Sequence, residues 1–106
     1  SSSAASDVYK RQVEGKLEAI RRLDARVILP LLAGLDARGE AYRVLFLSDH
    51  PTLLESGAHD GAPVPFCLYD SRLSAAPRTF CERNAAQGER VEEGTTLMPR
   101  LFELPL

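Results

Sequence analysis

The sequence predicts a soluble α/β domain with one long N-terminal helix, two short central strands and a C-terminal helix. Three observations predict it. Apolar residues step by three and four from Val13 to Leu35. Two short runs rich in strand formers follow, Tyr42–Leu47 and Val64–Tyr69. Near the end, Leu97, Met98, Leu101 and Phe102 return to helical spacing.

The first element is the clearest. Val13, Leu17, Ile20, Leu23, Val27, Ile28, Leu31 and Leu35 mark one face of an amphipathic helix. Glu14, Lys16, Glu18, Arg21, Arg22 and Asp24 occupy the other. Pro30 lacks a backbone N–H and clashes with the preceding turn, so it should kink or split the helix near Leu29. Gly39 suits the helix end, where a left-handed residue is common. Ahead of Val13 the pattern fails. Ser1–Ser6 is low in complexity, and residues 1–12 read as a leader that is disordered or foreign to the domain.

Tyr42–Leu47 is apolar at nearly every position, as expected of a strand covered on both faces. Ser48–Pro63 is polar and carries Gly57, Gly61, Pro51 and Pro63, so it reads as a loop. In Val64–Tyr69, Pro65 belongs at the strand's first residues or on an edge. Asp70–Glu93 is polar and irregular. Pro99 interrupts the final helical pattern.

Composition narrows the class. A chain of 106 residues allows one domain at most and a small core. Its apolar fraction of 44% and charged fraction of 26% are ordinary for globular proteins. A net charge of -2 gives no reason to expect nucleic acid or an anionic membrane as partner. No apolar run approaches the roughly 20 residues of a membrane span. Cys67 and Cys81 form no CxxC pattern and read as free thiols, which suits the cytoplasm.

The residues with chemistry lie just after the first strand. In open α/β sheets, ligands gather beyond the carboxyl ends of strands. Ser48-Asp49-His50 stands at such an end. An aspartate beside a histidine offers an oxygen and a nitrogen ligand suited to zinc, manganese or similar ions. His59 follows nine residues after His50, and these are the two histidines of the chain. The competing reading is a surface turn, with Asp49 capping a helix and His50 solvated. A charge-relay site is disfavoured, because no Ser or Cys sits in a nucleophile elbow.

Five segments carry a family resemblance. Val13–Ile20, Val27–Leu35, Tyr42–Thr52, Pro63–Ser71, and Glu92–Gly94 with Leu97 and Met98 resemble, in order and spacing, the archaeal type of cofactor-independent phosphoglycerate mutase. These enzymes lie in the alkaline phosphatase superfamily. The resemblance implies that residues 13–106 are the C-terminal part of a metal-binding catalytic domain, a partial alkaline-phosphatase-like sandwich. It implies two divalent ions (Mn, Mg, Zn or Co), with Asp49 and His50 on one and His59 on the other. It also implies a small phosphoglycerate substrate, a phosphoserine intermediate and a cytoplasmic role in glycolysis and gluconeogenesis.

Departures are visible. Asp60 stands where the family usually has threonine. The serine nucleophile, an N-terminal aspartate and an Asp-x-x-x-His element are not in this chain. The expectation is therefore an inactive fragment with unpartnered apolar faces, marginally stable or prone to associate. Two other readings remain open: a fragment of another metal-dependent phosphatase or phosphomutase of the superfamily, and a non-enzymatic interaction module.

Overall fold

A computed structural model describes residues 2–74 and 76–103. The chain divides into two compact units. One holds the residues up to Glu40 together with Thr52–Asp60, and the other holds Ala41–Pro51 with the residues from Gly61 onward.

The first unit is dominated by helix. Helix α1 spans Ser2–Leu23, a π-helical turn spans Asp24–Ile28, and helix α2 spans Leu29–Ala37. The π turn is the physical answer to Pro30. Proline at position 30 cannot donate a hydrogen bond to the carbonyl four residues back, and its ring crowds that carbonyl. The backbone widens just before it, so that the Leu29 N–H bonds to the Asp24 carbonyl, five residues back. Pro30 then falls in the first turn of α2, where a missing N–H costs little. Gly39, at φ +70°, ends the helix as its position predicts.

Two features of this unit bear on the sequence reading. α1 runs unbroken through the stretch read as a leader, because alanine, lysine, arginine and glutamine there all favour helix. The apolar stripe is also open, with Leu17 46% and Ile20 62% exposed. That openness agrees with the expectation of unpartnered apolar faces.

The second unit contains the sheet. Strand β1, Arg43–Leu47, pairs antiparallel with β2, Phe66–Asp70, in the register Arg43↔Asp70 to Leu47↔Phe66. Pro65 sits immediately before β2, outside the ladder. Both strands are mostly half-buried, and Leu47 is 50% exposed. The expectation of a strand covered on both faces is thus corrected: among the described residues β1 is half-buried and part of it lies open. The polar stretch after β2 holds a one-turn helix α3, Glu82–Ala85, which the sequence did not suggest. A 3-10 turn, Gly94–Thr96, leads into helix α4, Leu97–Glu103. Pro99 is accommodated in the first turn of α4, where its lost donor is unneeded.

Among the described residues, Leu97 is the one fully apolar side chain that is buried, at 2% exposure. It opens α4, which rests against β1. A polar cluster ties the same corner. Asp70 is buried and accepts from Arg43 Nε at 3.0 Å and from Arg72 Nη2 at 2.9 Å. Arg43 and Asp70 face each other across the two strands, and Arg43 Nη1 reaches the Leu101 carbonyl of α4 at 3.5 Å. No helix among the described residues is long and apolar enough to cross a membrane.

Candidate metal centre

Asp49 and His50 follow β1 by two and three residues, at the end where β2 begins. The antiparallel ladder fixes the backbone up to Leu47, and Pro51 restricts the conformation of His50 before it. His50 Nε2 lies 3.6 Å from Asp49 Oδ2. The other ring nitrogen, Nδ1, lies 3.2 Å from the Pro51 carbonyl oxygen. With its hydrogen on Nδ1, His50 donates to that carbonyl and leaves the Nε2 lone pair facing the carboxylate side. A metal-bound histidine commonly has its second nitrogen held in this way.

Asp49 and His50 offer two donors of the types a divalent ion takes. Two donors bound to one ion at about 2.1 Å sit about 3.4 Å apart at a tetrahedral angle. The observed 3.6 Å separation is close to that spacing. No helix starts at Asp49, so the carboxylate caps none, and the His50 side chain is 32% exposed. The Asp49 side chain is 96% exposed and open to a ligand.

His59 belongs to the first unit and is exposed. It pairs with Thr52 across an antiparallel bridge. Between them the chain makes a tight turn: Leu53 N–H donates to the Ala58 carbonyl at 2.9 Å, and Gly57 N–H to the Leu53 carbonyl at 2.7 Å. Gly57 has φ +70°, a conformation that suits glycine. The Ser56 hydroxyl accepts from Ala58 N–H at 3.1 Å, which gives Ser56 the loop role that its sequence context implied. Asp60 is exposed. The structure brings Asp49 to His50, while His59 lies on the separate loop. Among the described residues, no three His, Cys, Asp or Glu side chains form a metal-holding group.

Sequence reasoning missed Lys16 here. Its ammonium donates to the Thr52 carbonyl at 2.8 Å, yet on the helix pattern it read as one more solvated charge. It missed the Arg43–Asp70–Arg72 cluster as well, because Asp70 looked like the start of a polar loop. Cys67 and Cys81 are free thiols, as expected.

Comparison with known proteins agrees with the family resemblance. The chain is 43% identical over 81 residues to a 2,3-bisphosphoglycerate-independent phosphoglycerate mutase of Methanothrix thermoacetophila, covering 76% of this chain and 21% of that protein. It is 40% identical over 94 residues to a probable enzyme of the same name from Geobacter sulfurreducens, covering 86% and 23%. The chain is a homologue of part of the 2,3-bisphosphoglycerate-independent phosphoglycerate mutases. A third such mutase, from Methanosarcina barkeri, is 32% identical over 82 residues. The chain spans about a fifth of the length of the curated mutases it matches. No family model matches it, and no solved structure does.

Proposed function

We propose that this chain supplies part of the two-metal site of a 2,3-bisphosphoglycerate-independent phosphoglycerate mutase, which interconverts 3- and 2-phosphoglycerate in cytoplasmic glycolysis and gluconeogenesis. The observation that carries this reading is the Asp49–His50 pair, with Oδ2 and Nε2 at 3.6 Å and Nδ1 held by the Pro51 carbonyl. In this reading the two strands are part of a larger alkaline-phosphatase-like sheet.

Asp49 and His50 would hold one ion, and His59 would take part in holding a second. The carboxylate lends negative charge and a hard oxygen, and the neutral imidazole lends a directional nitrogen. Divalent ions at such a site, whether Mn, Mg, Zn or Co, lower the pKa of a hydroxyl nucleophile and neutralise charge on a transferring phosphoryl group. A serine outside this chain accepts the phosphoryl from one glycerate hydroxyl and returns it to the other, splitting one transfer into two. This chain assigns no nucleophile, so alone it should bind divalent ions weakly and show no turnover.

The test is a manganese titration of the purified chain, followed by NMR line broadening at His50 and His59, beside an assay of 3-phosphoglycerate conversion. Broadening at His50 that is abolished in Asp49→Ala, without turnover, is expected. Turnover by this chain alone, or His50 broadening indifferent to Asp49→Ala, refutes the reading.

A further inference from the structure

We propose that Lys16 is a positioning residue for the His59 loop, docking that loop onto α1 through the Thr52 carbonyl. This inference rests on the reading of His59 as a metal ligand.

Three observations carry it. The Lys16 ammonium donates to Thr52 O at 2.8 Å across a sequence separation of 36 residues. Thr52 is the bridge partner of His59, so whatever fixes the Thr52 backbone fixes the strand-like segment opposite His59. Apolar packing between helix and loop is loose at this point. A cavity of about 420 Å³ lies between them, with Gly15, Lys16 and Ala19 on the helix side and Thr52, Leu53 and Gly57 on the loop side. A methyl group built at Gly15 would meet no atom within 4 Å.

The physical consequence follows from these contacts. The turn from Leu53 to Ala58 is closed by its own backbone hydrogen bonds, which set its shape but not its place on the helix. Close-packed side chains would place it, but on the helix side Gly15 and Ala19 leave open space before Leu53 and Leu54 of the loop. The exposed bond from the Lys16 ammonium adds a tie from helix to loop, and an ionised donor makes it stronger than a neutral one. Lys16 touches neither substrate nor metal in this reading. It acts through Thr52 on His59, as outer residues orient the groups that bind metals.

The experiment compares wild type with Lys16→Met and Lys16→Arg. Amide exchange of Leu53, whose N–H is held by Ala58 O, reports the loop. Exchange of Cys67 in β2 reports the other unit. Manganese broadening of the His59 ring reports positioning. In Lys16→Met, the manganese concentration that broadens His59 should rise about tenfold. Leu53 exchange should quicken while Cys67 exchange holds, and Lys16→Arg should restore much of both losses. Unchanged Leu53 exchange and unchanged His59 broadening in Lys16→Met overturn the proposal, as does a loss in Lys16→Arg as large as in Lys16→Met. Wild type whose His59 ignores manganese refutes the metal reading, and the positioning role with it. In that case Leu53 exchange still decides whether Lys16 docks the loop.

Discussion

Replacing Gly57 by alanine should loosen the His59 loop. Gly57 sits at φ +70°, where an L side chain brings its Cβ against its own carbonyl. A Cβ built there meets no other atom within 4 Å. Crowding by neighbours therefore contributes nothing, and the whole cost is backbone strain of about 1–2 kcal/mol. At about 1.4 kcal/mol per tenfold, the loop should open about 5- to 30-fold more often. The Leu53 amide, bonded to Ala58 O across the turn, should exchange faster by the same factor. Gly57→Asn is the matched control, because asparagine tolerates the left-handed region and should cost less. Gly15→Ala is the opposite control. Gly15 lies inside α1 with open space around it, so alanine there should stabilise the helix by roughly 0.5–1 kcal/mol. Leu53 exchange within twofold of wild type in Gly57→Ala, or asparagine as costly as alanine, would refute the reasoning.

Two further outcomes are expected. Leu97→Ala should destabilise the fold by roughly 2–5 kcal/mol, lowering a thermal midpoint by about 10 °C or more, whereas Met98→Ala, at a half-exposed position, should cost under about 1 kcal/mol. Equal effects of the two in thermal melts would show that Leu97 is not the core. Asp70 is held well below the usual carboxylate range, first by the Arg72 side chain, then by the Arg72 backbone N–H, with Arg43 adding and burial opposing. A depressed folded-state pKa contributes stability that is present above the unfolded value and lost as pH falls through the folded one. Asp70→Asn should thus be less stable than wild type at neutral pH, with the gap closing below about pH 4. A gap that stays constant down to pH 2 in denaturant melts would contradict this.

What the sequence made legible follows the strength of its periodic signals. The stripe from Val13 marks the helix, and Pro30 marks its interruption. Proline says that a hydrogen bond must fail there but not how the backbone absorbs it. The form of the answer, a π turn over Asp24–Ile28, emerges only in the structure. The two strands could be read from their β-branched and aromatic residues, with starts shifted by one or two positions. Their antiparallel pairing could not, because Ser48–Pro65 is too long a connection to carry a hairpin signature. Asp70 was illegible for a related reason. An aspartate at a strand end looks solvated until the register sets Arg43 opposite it.

The candidate site divides along the same line. Asp49 and His50 could be found because they are adjacent and end a strand, and adjacency survives any tertiary arrangement. Their placement inherits the rigidity of β1, which is paired along its length and tied at Arg43 to Asp70 and to α4. His59 has no strand behind it. Its place depends on one glycine at positive φ, a few loop hydrogen bonds and a lysine reaching from α1. Local propensity cannot announce a contact between positions 16 and 52, so the support for His59 was hidden where the residue itself was plain. The difference has a physical consequence. Loop opening is a low-energy event compared with disruption of a paired strand, so changes at Gly57 or Lys16 should displace His59 while leaving the Asp49–His50 pair intact. Under the proposed two-metal reading, the sheet-held and loop-held positions would therefore be lost separately.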